Sequence, residues 1–312
     1  LMKLKKPRFW DYKKPSFLAY ILLPFTYLFI LINYLRRKKK VIPNGIKSIC
    51  VGNIYLGGTG KTPITLKLNK ILSNLNFKTA FIKKKYENQI DEQKLLSSNG
   101  ILFCEKNRIL ALKKAIIDNI QIAIFDDGLQ DRNLDYNLTF VCFNINNWIG
   151  NSLLIPSGPL RENLHNVKKY DAIFLNGNGE NTLDIISTLK NINPNLEIFE
   201  SKFIALNVGD FNLDKNYLAF SGIGAPQSFL KTLKENKFNI VKNLDYPDHY
   251  SYKNNDIVEI RNLAKKLNAE IITTEKDYVR LNKLNSEGIR FLKVESKISN
   301  EERLINFLNK KL

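Results

Sequence analysis

The sequence predicts an α/β chain: a parallel-sheet lobe, a second and smaller α/β lobe, and an apolar helix ahead of both. Three observations carry this expectation. Short apolar runs alternate with amphipathic stretches from about residue 46 onward, the pattern of strands buried on both faces and joined by crossover helices. A glycine-rich turn, Gly57-Gly58-Thr59-Gly60-Lys61-Thr62, sits where one apolar run gives way to a helical stretch. Residues 17–35, FLAYILLPFTYLFILINYL, carry no charge.

That first segment approaches the ~20 residues a helix needs to cross a bilayer core. It is too long for a cleaved leader, and no small-x-small cleavage site follows it. Lys13-Lys14 precede it and Arg36-Arg37-Lys38-Lys39-Lys40 follow it. Such flanks fit a helix anchored in the headgroup layer, or a single span with the following domain on the positive-inside face; they fit a buried first helix less well. Pro24 is expected to kink or break a helix passing through it.

Beyond it, IKSICVG, TAFI, ILFC, QIAIFDD, LTFVCFN and DAIFLN read as strands, with helices over Lys61 to Leu75 and Asn107 to Asp118. The second lobe takes YLAFSG, KFNIV, EIITT and IRFLKV as strands and Asp256 to Leu267 and Glu301 to Leu308 as helices. The Asn-rich stretch around Ile192 to Leu196 and the loop near Asn207 to Lys215 are candidate boundaries. The expected division is an anchor over 1–40, a first lobe over 41–205 and a second over 206–312.

Charge limits the function classes. Of 48 Lys+Arg against 30 Asp+Glu, net +18, the first forty residues hold eleven basic residues and the single acid Asp11. A charge gathered at one end points to an anionic surface met by the N-terminus and excludes a nucleic-acid track over the whole molecule. Cys50, Cys104 and Cys142 form no C-x-x-C and read as buried reduced thiols. His165 and His249 are the two histidines, too few for a multi-histidine metal site; His165 reads as a surface residue.

The turn at Gly57 to Thr62 carries the chemistry. Following a strand and opening a helix, it is a phosphate loop, which makes the first lobe a P-loop-type sheet. Gly57, Gly58, Thr59 and Gly60 let backbone N–H groups point at phosphates; Lys61 reaches the β- and γ-phosphates and the Thr62 hydroxyl can ligate Mg²⁺. The usual pattern wants glycine where this chain has Tyr55. The doublet Gly57-Gly58 is similar to partitioning ATPases, whose loop needs a lysine where Leu56 stands, and a membrane-associated ATPase switch of that type is the alternative function. Asp126 and Asp127 end a strand, where P-loop enzymes hold Mg²⁺. Thr274-Glu275-Lys276-Asp277 misses the base-reading spacing of GTPases, so ATP is the expected nucleotide.

Taken in order, V-G-N-x-x-x-G-G-T-G-K-T-P at 51–63, D-D-G-L-Q at 126–130, P-S-G-P-L-R-E at 156–162, F-S-G-I-G-A-P at 220–226, P-D-H-Y at 247–250 and T-E-K-D at 274–277 resemble the tetraacyldisaccharide 4′-kinases of lipid A biosynthesis. The resemblance implies ATP-dependent phosphorylation of the 4′-hydroxyl of tetraacyldisaccharide 1-phosphate, giving lipid IVA at the cytoplasmic face of the inner membrane. Partners are then this lipid A precursor and membrane lipids, with no nucleic acid and no protein partner. It implies Asp91, in Ile90-Asp91-Glu92, as base with His249 in support. Arg161 is expected on the nucleotide or the substrate phosphate, with Arg108 a weaker contact. Glu162 is expected in the Mg²⁺ shell with Thr62, Asp126 and Asp127. Two departures stand out: Lys83-Lys84-Lys85-Tyr86-Glu87 replaces the family's S-R-G-Y-G, with Lys84 expected to face phosphate, and Asp131 replaces its common histidine after D-D-G-x-Q.

Overall fold

The computed structural model describes residues 6–35, 42–87, 89–177, 182–281 and 286–312. In chain order the elements are α1 (Phe17–Ile21), α2 (Leu23–Leu35), β1 (Lys47–Gly52), α3 (Lys61–Asn74), β2 (Thr79–Lys84), α4 (Ile90–Ser97), β3 (Leu102–Glu105), α5 (Arg108–Ile117), β4 (Ile122–Asp126), β5 (Leu138–Asn144) and β6 (Ala172–Asn176). There follow α6 (Thr182–Ile192), β7 (Glu197–Ala205), β8 (Asn216–Ser221), α7 (Pro226–Glu235), β9 (Asn239–Asp245), α8 (Asn254–Lys266), β10 (Ala269–Thr274), α9 (Glu275–Arg280), β11 (Ile289–Leu292), β12 (Val294–Ile298) and α10 (Glu301–Lys311).

The larger of two compact units comprises Lys6–Lys85, Asn99–Lys202 and Ile298–Leu312, and the smaller is built mainly from Tyr86–Ser98 and Phe203–Lys297. The passage near residue 202 lies close to the expected border, but two segments sit otherwise than that linear division has them. Tyr86–Ser98 belongs with the C-terminal half because α4 packs on α9. The last helix belongs with the N-terminal half because Phe307 packs against Phe140 and Phe199.

The larger unit is an α/β fold on a sheet of order β12-β7-β6-β5-β1-β4-β2-β3. From β7 to β3 every neighbouring pair is parallel. Its central strands β4, β5 and β6 are buried at every position and mostly apolar, because helices cover both faces. Cys50 and Cys142 lie in this core while Cys104 is only half-buried, a departure from the expectation for all three thiols. Burial pushes the Cys142 thiol up to about 12. The smaller unit carries a parallel sheet of order β11-β10-β8-β9, with Phe211, Tyr217 and Phe238 packed edge to face beneath it.

The helix over 17–35 is broken next to Pro24, as expected. Two helices meet at Leu22, with Pro24 in the first turn of α2. There its missing N–H is harmless, whereas in a continuous helix its ring would meet the Tyr20 carbonyl. The thirteen residues of α2 rise about 20 Å, short of the ~30 Å hydrocarbon core. Among the described residues no helix is long and apolar enough to cross a membrane, so of the two expected placements the single span gains no support. Of the basic flanks, Lys3, Lys5 and Arg36 to Lys40 lie outside the described residues. The segment is tied to the larger unit by polar contacts. Trp10 donates its indole N–H to the Pro156 carbonyl at 3.0 Å, and the hydroxyls of Thr26 and Ser157 are 2.8 Å apart.

Candidate functional site

In the larger unit β1 delivers the chain into the phosphate loop and α3 leaves it. Gly57 and Gly60 have φ of 140° and 83°, left-handed values that glycine takes without a Cβ clash. Pro63 sits in the first turn of α3, where no N–H is required. The loop is braced from below by buried amides. Asn53 donates to the Thr59 hydroxyl at 3.1 Å and Asn176, at the end of β6, donates to the Thr59 carbonyl at 2.6 Å. The P-S-G-P-L-R-E segment braces it from the side, through Leu56 N to Pro159 O at 2.7 Å and Arg161 N to Ile54 O at 2.6 Å. That segment in turn carries the Trp10 and Thr26 contacts described above.

Around this loop the structure gathers Lys61, Asp127 and Arg161. Asp127 follows β4 at φ 60°, a strained conformation for a non-glycine residue of the kind that recurs at functional positions. Its carboxylate lies 3.9 Å from Lys61 Nζ and accepts from Arg161 Nη1 at 3.0 and 3.3 Å. Burial pushes this carboxyl up, but Lys61, Arg161, Lys83 and Arg108 outweigh it and hold it below the usual range. Arg161 also reaches Gln130 Oε1 at 3.1 Å, and Gln130 donates to Glu162 at 2.9 Å. Glu162 further accepts from Asn166 and from the Tyr170 hydroxyl.

Asp126 sits apart from that set. It accepts from Lys83 Nζ at 2.7 Å with both side chains almost fully buried. The departure at Lys83 therefore lies inside the fold, where its ammonium faces a strand-end carboxylate. Asp131, the other departure, pairs with Arg108 at 3.1 Å, and Arg108 also donates to the Asp127 carbonyl. Thr62 is buried in the first turn of α3. Among the described residues no group of three or more His, Cys, Asp or Glu is gathered for a metal. His165, expected at the surface, lines an open depression of about 420 Å³ with Ile149, Leu164 and Ile192.

The smaller unit brings Asp91 and His249 together. Asp91 occupies the first turn of α4, 2% exposed. His249 lies in the turn after β9 at φ 54°, where its backbone N–H donates to the Gly222 carbonyl at 3.0 Å. Its Nδ1 is 3.4 Å from Asp91 Oδ1. Burial pushes Asp91 up, but the His249 contact and the charges of Arg280 and Lys276 outweigh it and hold the carboxyl at about 2. Three further residues join this pair whose place beside it the sequence did not mark: Arg280, Lys276 and Asp277. Arg280 Nη2 donates to Asp91 Oδ2 at 2.6 Å, and Lys276 Nζ lies 2.8 Å from Glu92. Lys276 and Asp277 belong to the T-E-K-D block, legible as a motif but not as a clamp on α4. Asp277, fully buried, accepts from Gly222 N, the Tyr252 and Thr274 hydroxyls and Arg280; burial raises its carboxyl despite these partners.

The sequence model of the family described as Tetraacyldisaccharide-1-P 4′-kinase matches residues 18–312. The chain is 54% identical over 309 residues to the tetraacyldisaccharide 4′-kinase of Pelagibacter ubique (strain HTCC1062), with 99% of this chain and 98% of that one covered. It is 35% identical over 334 aligned positions to the tetraacyldisaccharide 4′-kinase of Rickettsia typhi (strain ATCC VR-144 / Wilmington), both chains being covered in full. Among solved structures, the "apo" form of LpxK from Aquifex aeolicus in complex with ATP superposes with a TM-score of 0.67. It covers 94% of this chain and 99% of its own at 23% identity, a likeness of fold.

Proposed function

The chain belongs to the tetraacyldisaccharide-1-P 4′-kinase family, and from that premise we propose that it transfers the γ-phosphoryl group of ATP to the 4′-hydroxyl of tetraacyldisaccharide 1-phosphate. Phosphoryl transfer asks for positioned phosphates, neutralised charge and an acceptor for the hydroxyl proton. Backbone N–H groups of Gly57 to Thr62 and the Lys61 ammonium serve the phosphates. Arg161, within reach of Asp127 and Gln130, offers a planar fork suited to a further phosphate oxygen. ATP is carried by the loop and by the fold shared with the ATP complex of the Aquifex protein.

Mg²⁺ fits the donors near the loop. The Thr62 hydroxyl and the Asp126 and Asp127 carboxylates are hard oxygen donors, and this ion takes one or two carboxylates together with substrate phosphates. When bound it would neutralise charge on the β- and γ-phosphate oxygens. Glu162 has both oxygens engaged by Gln130, Asn166 and Tyr170, so it orders the loop that carries Arg161.

The observation that carries a kinase over an ATPase switch is the Asp91–His249 pair. Transfer to an alcohol needs a group to take its proton, and a carboxylate backed by imidazole supplies one. The partition-type alternative lacks its signature lysine at Leu56 and gains no support from the family matches. The acceptor is a lipid, and α1 and α2 expose Phe17, Tyr20, Phe25, Tyr27, Leu31 and Leu35. We place this surface in the headgroup layer of the cytoplasmic face of the inner membrane, lying in the interface rather than crossing it. Membrane lipids are thus the expected partners beside the substrate.

The test is transfer from radiolabelled ATP to detergent-dispersed tetraacyldisaccharide 1-phosphate. Labelled lipid is expected, and its absence would sink the assignment. If Asp91→Ala transferred at the wild-type rate, the kinase reading would stand and Asp91 would lose its role as base.

A further inference from the structure

The first turn of α4 presents two adjacent acids, Asp91 and Glu92, and the short helix α9 meets them with two cations. Lys276 Nζ lies 2.8 Å from Glu92 and Arg280 Nη2 donates to Asp91 Oδ2 at 2.6 Å. The two oxygens of Asp91 are therefore unequal. Oδ2 is closed by a short charge-assisted bond, while Oδ1 faces His249 Nδ1 at the looser distance of 3.4 Å. Arg280 itself cannot follow a ligand, because Nη1 also donates to the Gly222 carbonyl and to Asp277, each at 2.7 Å. Asp277 is held in turn by Tyr252, Thr274 and the Gly222 N–H.

We propose that Arg280 is a positioning residue that closes Oδ2 of Asp91 and so selects Oδ1, shared with His249, as the atom that receives the proton of the acceptor hydroxyl. This rests on Asp91 being the base of the reaction proposed above. As the hydroxyl oxygen bonds to the γ-phosphorus, its O–H bond breaks toward Oδ1 and the bond to the departing ADP breaks. Without Arg280 either oxygen could rotate toward His249, and Asp91 would also lose a cation that favours its charged form. The charged or titratable groups acting on Asp91 are Arg280 and Lys276 from α9 and His249 from the turn after β9, with Asp248 and Glu92 on the far side of the His249 ring and Glu92 also on Lys276.

Arg280→Met and Arg280→Lys separate this role from a purely structural one. In Arg280→Met, kcat is expected to fall about tenfold or more with KM for ATP unchanged, and the acid limb of the pH profile to rise by about one to two pH units. The Asp91 carboxyl carbon, followed by NMR without substrate, should titrate higher by the same amount. Arg280→Lys should restore the titration but not the rate, because a point charge cannot bridge Asp91, Gly222 and Asp277 together. Wild-type kcat in Arg280→Met, or a lost rate with Asp91 titrating as in wild type, would overturn the proposal. If Arg280→Met does not fold, the double variant Asp277→Asn, Arg280→Met removes both members of the buried pair and carries the same readings. If Asp91→Asn retained full activity, the fault would lie with the base assignment, while the NMR arm would still report the hold of Arg280 on Asp91.

Discussion

Asp91 and Asp126 are both buried carboxylates beside a cation, and they lead to different expectations. The Asp91 carboxyl is held at about 2, below its ordinary value of 3.8. A folded-state value below the unfolded one stabilises the native protein above the unfolded pKa, and that stabilisation is lost as pH falls through the folded one. The window is therefore about pH 4 down to about pH 2, and the depression corresponds to about 2 kcal/mol. Urea unfolding at a series of pH values should show Asp91→Asn losing less stability across this window than the wild type does. Asp126 instead meets Lys83 with both side chains out of water. Lys83→Met leaves that carboxylate without its ammonium partner and should cost about 3–5 kcal/mol in urea midpoint analysis, with Asp126→Asn recovering part of the loss. In sequence Lys83 was one of three lysines replacing a glycine-flanked arginine motif. Lys83 lies within the stretch of β2 that is buried at every position, whereas Lys84 ends the strand half-buried and Lys85 beyond it is exposed; a uniform run of lysines hides where the strand leaves the core.

Elements were legible where burial is two-sided and illegible where it is tertiary. The strands β1, β4, β5 and β6 announce themselves as apolar runs because helices cover both sheet faces. The strand β7 alternates buried and exposed positions from Phe199 to Lys202, so EIFESKFIA shows no continuous apolar run beside the Asn-rich stretch. The eight residues of α4 look like a polar turn; only the packing of α9 turns Asp91 inward. The phosphate loop was readable from spacing, whereas its brace Asn176 comes from the end of β6 and leaves no local mark. The N-terminal segment was legible as apolar and interrupted at Pro24, but not as two helices, since Pro24 can kink a helix or begin one. Its exposed face yields an element-scale prediction. Tyr27 and Leu31 are exposed and four apart on α2, hence on one face. Changing both to Asp should reduce co-sedimentation with anionic vesicles by about tenfold or more. The urea midpoint should stay close to wild type, because neither side chain is in the core.

At the scale of the whole molecule the chemistry is divided between two cores. Lys61, Asp127 and Arg161 stand on the larger sheet, and Asp91, His249 and Arg280 on the smaller unit. The chain reaches the smaller unit by an excursion after β2 as well as by its C-terminal half, so the acid on α4 is built into the same core as the histidine that meets it. This division makes nucleotide binding and proton acceptance separable by mutation. A ligand that binds only the native state stabilises it by mass action, about 2.7 kcal/mol at one hundred times its Kd, or roughly 5–10 °C in a unit of this size. Calorimetric scans with Mg-ATP should therefore raise the melting temperature of the wild type and of Asp91→Ala by similar amounts, although only the first transfers phosphate. Lys61→Ala should lose both the thermal shift and transfer, because the ammonium that meets the β- and γ-phosphates is gone. Equal thermal shifts in Lys61→Ala and wild type would remove the phosphate loop from nucleotide binding. A shift lost in Asp91→Ala alone would instead place ATP against the smaller unit's acid.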